Sequence, residues 1–263
     1  MKRKLTDILI IILLCVMCFS GYKLYSEWKD SKESHQQFEQ LENIANRPLE
    51  LEEDITTVTA TEKYMPIYNE NNDFVAWITI DDSLLNYPVM QTKNEPEYYL
   101  RRDFTKKYNF HGVPFIDYRC TLNESDNIIV YSHNMKDGTM FSAVEYYMDP
   151  DYYENHRYIR FDTLDSFSRY EVICVLKIDV RTEGTAFYEN VDFETEEDFN
   201  AFIRYAKSAA PYETGVSAEY GDELLTLSTC EYTMTDGRCV LIARKISQSP
   251  AKRYDASGNE IMK

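Results

Sequence analysis

The sequence predicts a mainly β fold, a closed barrel of about eight strands with peripheral helices and an N-terminal stalk helix. Eight short apolar segments are separated by Asp, Asn, Gly and similar turn residues, as is typical of closed β structures. The chain also contains 22 tyrosines, whose rings pack well on half-buried pleated surfaces. Only two segments between the strands have a helical pattern, so we expect these helices at the periphery.

The N-terminus carries a membrane-spanning signal. Lys2, Arg3 and Lys4 precede an apolar run in which residues 8–22 contain no charged side chain. A helix needs about 20 apolar residues to span a bilayer, and somewhat fewer where flanking side chains extend to the interface. No small-x-small cleavage site follows the run, which favours an uncleaved anchor over a cleaved signal peptide. The basic flank predicts that the chain after residue 25 faces outward.

The composition divides the chain into four regions. They are a basic stub with a transmembrane signal-anchor (1–25), a stalk helix with an acidic spacer (26–63), a β domain (64–248) and a polar C-terminal tail (249–263). The stalk is polar with loose helical spacing of apolar residues, and its helix should end before Pro48. Residues 49–62 are acidic and rich in threonine, which predicts an extended segment.

Within the β domain, each strand is predicted where an apolar run is bounded by turn residues. The eight strand segments are residues 74–80, 84–91, 112–119, 127–133, 157–163, 168–180, 223–230 and 239–246. Helices are predicted over 140–156 and 195–210. The second has an N-cap signal, because Thr195 is followed by three acidic residues.

Charge and cysteine content exclude several classes of function. A formal net charge of −17 argues against nucleic acid, which requires a basic surface. The four histidines are dispersed, and cysteine and histidine do not pair at zinc-ligand spacing, so we expect neither a metal nor another cofactor. Four cysteines outside the anchor are too few for a disulfide scaffold. Cys174 and Cys239 lie inside apolar runs and are expected in the core.

Three reactive side chains lie at strand ends. Cys230 ends the run LLTLSTC, and His133 follows the apolar strand NIIVY by one serine. Arg238 comes eight positions after Cys230, past an Asp-Gly turn, and begins the next strand. Each has an ordinary structural explanation when taken alone: a small buried cysteine, a polar surface histidine and a solvated turn arginine. Antiparallel pairing across the turn would place Cys230 beside Arg238.

The three groups suit acyl transfer through a thiol. A cysteine attacks a carbonyl as its thiolate, which a nearby histidine and a guanidinium both favour. The guanidinium also offers fixed N–H donors to a tetrahedral oxyanion. An imidazolium can protonate the leaving amine. The residues alone do not indicate whether water or an amine then receives the acyl group.

The motifs TLSTC, with an arginine beginning the next strand, and YSHNMKDGTMF upstream resemble a class B sortase of Gram-positive bacteria. The resemblance covers roughly residues 70–246 and extends to the anchor, the stalk helix and the order of strands and helices. It implies a sortase-type eight-stranded β-barrel at the outer face of the cell membrane. It also implies a cysteine transpeptidase that cleaves a C-terminal sorting motif through a thioacyl intermediate. The acceptor would be an amine of the peptidoglycan cross-bridge or of a pilin.

The resemblance implies a role for each matched residue. Cys230 would be the nucleophile, His133 the general acid/base, and Arg238 the group that orients the substrate and stabilises the oxyanion. The residues implied in the sorting-signal groove are Tyr131, Ser228, Glu231 and, in the loop before the second helix, Tyr188. Cys239 departs from the aliphatic residue expected after the arginine.

Two alternatives remain open on the residues themselves. An exported cysteine protease would use the same three side chains and release the acyl group to water. A membrane-anchored binding domain would hold a partner on an acidic, tyrosine-rich face and leave Cys230 inert.

Overall fold

The computed structural model describes residues 2–45, 55–231, 236–255 and 260–261. In chain order its helices are α1 (Lys2–Ala45), α2 (Ala60–Glu70), α3 (Ser142–Tyr146), α4 (Pro150–Asn155), α5 (Thr185–Tyr188) and α6 (Glu196–Ala209). Its strands are β1 (Ile55–Thr59), β2 (Phe74–Thr79), β3 (Asn86–Met90), β4 (Phe115–Ile116), β5 (Asn127–Tyr131), β6 (Tyr158–Thr163), β7 (Phe167–Asp179), β8 (Leu224–Glu231), β9 (Gly237–Ser249) and β10 (Ala251–Asp255). A 3-10 turn spans Tyr98–Arg101, and a π-helical turn spans Val180–Gly184.

Strands β2 to β9 close into a barrel in the order β2-β3-β4-β5-β8-β9-β7-β6. The neighbouring pairs β3–β4 and β5–β8 run parallel, and β8–β9, like the other consecutive neighbours, runs antiparallel. Each barrel strand falls on a segment predicted from the sequence, so the predicted mainly β, eight-stranded closed barrel is confirmed. The strand β4 is shorter than predicted, with two residues.

Apolar side chains pack on both faces of the barrel wall. Leu225 and Leu227 of β8 belong to the larger core cluster, together with Ile129 of β5. Leu224, on the opposite face of β8, packs in a second cluster with Phe199 and Phe202 of α6. This alternation follows from the two-residue period of a strand. Both faces of β8 are therefore buried along most of its length, and its carboxyl end meets the cleft described below.

Two cysteines predicted in the core lie there. Cys174 and Cys239 are 2% and 0% exposed. Burial raises the pKa of the Cys174 thiol to about 12, so it does not ionise near neutral pH. Both are therefore packing residues rather than candidates for thiol chemistry.

The peripheral helices differ in part from the prediction. Helix α6 begins after Thr195, whose side chain accepts a hydrogen bond from the Asp198 amide, as the N-cap signal predicts. The single helix predicted over 140–156 is wrong, because α3 and α4 are separate. Asp149 is the N-cap of α4 and Pro150 its first residue. A proline disfavours helical backbone at the preceding residue, which ends one helix and begins another.

Helix α1 is continuous from the basic stub to Ala45. Within the described residues, one helix is long and apolar enough to cross a membrane, with a mean hydropathy of 2.2 over its most apolar window. Its later turns pack on the barrel: Leu41 is buried, and the Phe38 and Tyr87 rings meet edge to face with centroids 5.0 Å apart. The stalk is therefore part of the folded domain. The stalk helix was predicted to end before Pro48, and Pro48 lies outside the described residues.

From Ile55 onward, the segment after the stalk forms a strand and a helix rather than an extended spacer. Residues 49–54 lie outside the described part of the chain. Strand β1 is extended, as expected, but it pairs antiparallel with β10, within the region predicted as a polar tail. The prediction of an extended segment over residues 49–62 is wrong from Ala60 onward, where helix α2 begins. Thr59 and Glu62 form a reciprocal capping box that begins α2, with the two backbone amides each bound by the other residue's side chain.

Candidate active site

Two parallel strands bring His133 and Cys230 to one rim of the barrel. In the β5–β8 pair, Tyr131 lies directly opposite Ser228. His133 follows Tyr131 by two residues and Cys230 follows Ser228 by two residues, so both come at the carboxyl ends of neighbouring strands. Neighbouring parallel strands reach the same edge of a sheet together.

Arg238 joins this rim from the antiparallel side. In the β8–β9 pair, Cys230 and Arg238 are direct Cα partners, and Glu231 is paired with Gly237. The expected pairing of Cys230 with Arg238 is thus present in the backbone register. Residues 232–235 and the side chains of Cys230 and Glu231 lie outside the described part of the structure, so the position of the Glu231 carboxylate stays a prediction.

A cleft of about 330 Å³ opens at this rim. Five of the residues singled out in the sequence line it: Tyr131, His133, Tyr188, Ser228 and Arg238. They come from β5, α5, β8, β9 and the segment after β5, so the cleft exists only in the folded chain. A concave site of this kind with convergent polar groups is the usual form of a substrate site.

The His133 imidazole is held in one orientation. Its Nε2 lies 2.8 Å from the Leu100 carbonyl oxygen, which can only accept a hydrogen bond, so Nε2 carries a proton. Burial lowers the pKa of His133 below its usual 6.5, and the positive charge of Arg101 acts in the same direction. The hydrogen bond to Leu100 acts in the opposite direction but does not outweigh burial. The imidazole is therefore neutral at neutral pH, with Nδ1 as its basic nitrogen.

The Arg238 guanidinium is partly buried at the rim of the cleft. Its one hydrogen bond to a described residue runs from an Nη to the Gly237 carbonyl oxygen, at 2.9 Å. A guanidinium has five N–H groups in a fixed fork, so it can donate to several acceptors, such as a carbonyl oxygen or an oxyanion.

An aromatic wall lines one side of the cleft. The Tyr131 ring lies between Phe115 and Tyr188, with centroid distances of 5.7 and 5.6 Å. The hydroxyls of Tyr188 and Ser228 are 2.6 Å apart and hydrogen-bonded. These residues give the cleft a flat apolar surface with hydroxyls at its edge, which suits an extended peptide.

Asp117 fixes the Tyr131 end of this wall. Its carboxylate accepts a 2.9 Å hydrogen bond from the Tyr131 hydroxyl and a bidentate pair from Arg119, at 2.9 and 2.7 Å. Burial alone would raise the pKa of Asp117, but the hydrogen bonds from Arg119 and Tyr131 lower it overall. Asp117 is therefore a buried carboxylate that is stabilised in its charged form by hydrogen bonds from Arg119 and Tyr131.

The side chains at the rim suit acyl transfer. Across residues 2–45, 55–231, 236–255 and 260–261, three or more His, Cys, Asp or Glu side chains are nowhere grouped so as to hold a metal ion. The rim offers a cysteine position, a neutral imidazole and a guanidinium beside a peptide-sized cleft. Acyl transfer through a thiol requires groups of these three kinds.

Several cleft residues were missed in the sequence. They are Pro96, Glu97, Leu100, Phe115, Asp117, Tyr118, Ser132, Val180 and Thr229. Leu100 acts through its backbone carbonyl, which no side-chain pattern reports. Asp117 had a usable signal, because it is an acid inside an apolar strand segment and two positions before an arginine. Such a buried carboxylate requires a partner.

The chain matches the family model described as "Sortase domain" over residues 78–246. It is 34% identical over 182 residues to a sortase B of Staphylococcus aureus (strain NCTC 8325 / PS 47), covering 68% of this chain and 72% of the relative. It is 32% identical over 181 residues to a sortase B of Listeria monocytogenes serovar 1/2a (strain ATCC BAA-679 / EGD-e), with the same coverage, 68% and 72%. A solved Staphylococcus aureus sortase B–substrate complex superposes with a TM-score of 0.73 at 29% identity, covering 83% of this chain and 99% of that one.

Proposed function

Because the chain belongs to the sortase family, in its class B, and is a cysteine transpeptidase of that type, we propose that Cys230, His133 and Arg238 form its catalytic centre. The observation that carries the proposal is the strand register. Cys230 on β8 pairs with Arg238 on β9, and β8 also pairs with β5, the strand that leads to His133. His133 and Arg238 line one cleft, and the register with Arg238 supports placing Cys230 beside it.

In the first half-reaction, the Cys230 sulfur attacks the scissile carbonyl carbon, and its proton passes to Nδ1 of His133. Arg238 donates N–H groups to the oxyanion that forms. When the carbon–nitrogen bond breaks, the imidazolium returns the proton to the leaving amine. The amino-terminal part of the substrate is then held on Cys230 as a thioester, and His133 is neutral again.

In the second half-reaction, an acceptor amine attacks the thioester carbon and loses a proton to His133. The carbon–sulfur bond breaks, the sulfur takes the proton, and a new amide bond remains. The neutral imidazole suits both halves, because it must first accept a proton in each.

The substrate class follows from the family and the shape of the cleft. We expect secreted proteins with a C-terminal sorting motif, bound as extended chains against Tyr131, Tyr188 and Ser228, with Glu231 at the same rim. The acceptor is an amine of the peptidoglycan cross-bridge or of a pilin. No cofactor takes part in these steps.

Location completes the proposal. Helix α1 anchors the enzyme in the cell membrane by a single pass, and the catalytic domain is extracellular. The apolar window of α1 supports the anchor, and Lys2, Arg3 and Lys4 before it support the orientation.

The test is product analysis with the full-length enzyme in detergent micelles. A panel of sorting peptides is incubated with and without an added oligoglycine amine, and the products are identified by mass spectrometry. A ligated product that replaces the hydrolysed one when amine is added supports the proposal. Hydrolysis that is indifferent to the amine would indicate the protease alternative. Failure of every peptide, with Cys230 no faster than Cys174 towards iodoacetamide, would indicate the binding-domain alternative.

A further inference from the structure

We propose that Phe110 is a positioning residue, which packs against the His133 imidazole and holds its Nε2 on the Leu100 carbonyl. The inference rests on the proposed catalytic role of His133. Phe110 lies in the segment between the 3-10 turn and β4, which has no regular secondary structure, and it is not among the residues that line the cleft.

The two rings lie parallel and offset. Their centroids are 6.4 Å apart and their planes are inclined by 5°. Offset parallel aromatic pairs at about 4.5–7 Å are attractive. The hydrogen bond to Leu100 determines which nitrogen carries the proton, and the neighbouring ring restricts the plane of the imidazole. Together these contacts limit rotation of the His133 side chain.

Arg101 holds Phe110 from the 3-10 turn. Its guanidinium carbon lies 4.5 Å from the centre of the Phe110 ring, within the range of a cation–π contact. The same guanidinium donates a 2.8 Å hydrogen bond to the Phe110 carbonyl oxygen. Phe110 is therefore held at its ring and its backbone by one residue, next to the leucine whose carbonyl binds His133.

Gly112 allows the two segments to approach each other. The Val113 amide donates to the Tyr99 carbonyl oxygen at 3.1 Å. A Cβ atom at Gly112 would lie 2.6 Å from the carbonyl oxygens of both Tyr99 and Leu100, and the Gly112 φ is +63°. A glycine is the residue that fits both conditions. The Leu100 carbonyl is thus set in place by the segment that carries Phe110.

The segment is also attached to the stalk helix through Asn109. The Asn109 side chain accepts a 3.1 Å hydrogen bond from the Ser34 hydroxyl and donates a 3.4 Å bond to the Asp30 carbonyl oxygen. Its side-chain oxygen also accepts the His111 amide at 2.8 Å. Phe110 therefore follows a residue that is fixed against α1, and the same Asn109 side chain holds the next backbone amide, so Phe110 is a rigid support for the imidazole.

The orientation matters because the two imidazole nitrogens are not equivalent in this site. With Nε2–H on Leu100, Nδ1 is the nitrogen that can exchange a proton with substrate and thiol. An imidazole free to rotate would spend part of its time with the wrong nitrogen or the wrong angle towards the reacting atoms. Misplacement of a catalytic group by about 1 Å can cost about 10²-fold in rate.

The experiment compares Phe110→Ala, Phe110→Leu and Phe110→Tyr in the full-length enzyme in detergent micelles. Tyr108→Ala is the matched control, since Tyr108 is an aromatic residue of the same segment and is 73% exposed. The measurements are kcat and KM on a sorting peptide, and the nitrogen chemical shifts of His133 by NMR during a pH titration.

We expect kcat to fall about 10- to 100-fold in Phe110→Ala and Phe110→Leu, with little change in KM. Phe110→Tyr and Tyr108→Ala should keep the wild-type kcat. In Phe110→Ala the His133 pKa should rise, because burial that lowers it is reduced. The leucine side chain fills most of the volume of the phenyl ring. Phe110→Leu should therefore fold even if Phe110→Ala does not.

Wild-type kcat in Phe110→Leu would overturn the inference. So would a lower kcat with unchanged His133 tautomer and titration, because that result would indicate a general structural role. Neither result would contradict the proposed function. The proposed function would be contradicted if His133→Ala retained wild-type turnover.

Discussion

Cys230 and Arg238 are direct partners in the antiparallel register of β8 and β9. Directly paired residues of antiparallel strands have side chains on the same face of the sheet, within reach of one substrate group. The short connection between the strands, residues 232–236, keeps this pairing local in sequence. Backbone hydrogen bonding thus places positions 230 and 238 side by side. Arg238 and His133 both line the cleft at this rim.

The first prediction concerns the shape of the Arg238 side chain. Arg238→Lys retains the charge but lacks the planar fork, so we expect a loss of about 10²–10³ in kcat, the scale of one oxyanion-hole donor. The control is Arg204→Lys, an exposed arginine on α6. The measurements are kcat on a sorting peptide at steady state and the acylation rate constant in a single turnover. Equal small losses in both variants would mean that Arg238 contributes only charge.

The second prediction concerns proton transfer. His133→Ala should lower the acylation rate by about 10²–10⁴, the usual contribution of a general acid/base group. His35→Ala, at an exposed position on α1, should leave the rate unchanged. Stopped-flow acylation with both variants tests this. A loss of less than tenfold in His133→Ala would remove the imidazole from the mechanism.

The third prediction follows from the direction of the His133 pKa shift. Burial lowers that pKa below 6.5, so the neutral imidazole predominates above it and activity should fall as the pH drops through it. The acidic limb of kcat/KM should therefore lie below pH 6.5 and should coincide with the NMR titration of His133. Intrinsic fluorescence across the same range verifies the fold. An acidic limb above 6.5 would contradict the assignment.

Much of the fold was readable because its signals are local. Each barrel strand is an apolar run between turn residues, and the three proposed catalytic residues lie at strand ends, where a side chain can reach a cleft. The break at Pro150 was missed although its signal is local, because Asp149 and Pro150 form a helix start that competes with the longer helical pattern.

Other features depend on pairing between distant segments. Strand β1 is polar, and its partner β10 lies near the other end of the chain, so neither sequence alone indicates a sheet. The Leu100 carbonyl that binds His133 is a backbone group 33 positions away. Phe110 lies in a segment without helical or strand periodicity, and its contact with His133 arises only when two loops pack together.

The fourth prediction tests the support of the aromatic wall. Asp117→Ala removes the acceptor of the buried Tyr131 hydroxyl and of Arg119, so we expect a loss of about 1–3 kcal/mol in the free energy of unfolding. Asp179→Ala is the matched control, because Asp179 binds Arg181 in the same bidentate arrangement two residues away but near solvent.

Urea denaturation of both variants, followed by circular dichroism, measures this difference. The Asp179 variant should retain the wild-type midpoint, since exposed ion pairs contribute little to stability. Equal midpoints for the two variants would mean that the Asp117 hydrogen bonds do not hold the Tyr131 side of the cleft in place.

The most direct test is the intact mass of the enzyme during reaction with a sorting peptide. In the absence of amine, we expect an adduct equal to the amino-terminal part of the peptide, located on Cys230 by proteolysis. Added oligoglycine amine should discharge it within one turnover and yield the ligated peptide. Cys230→Ala should form neither adduct nor product and should retain the wild-type fold. An adduct on another residue, or undiminished turnover in Cys230→Ala, would contradict the proposal that Cys230 is the nucleophile.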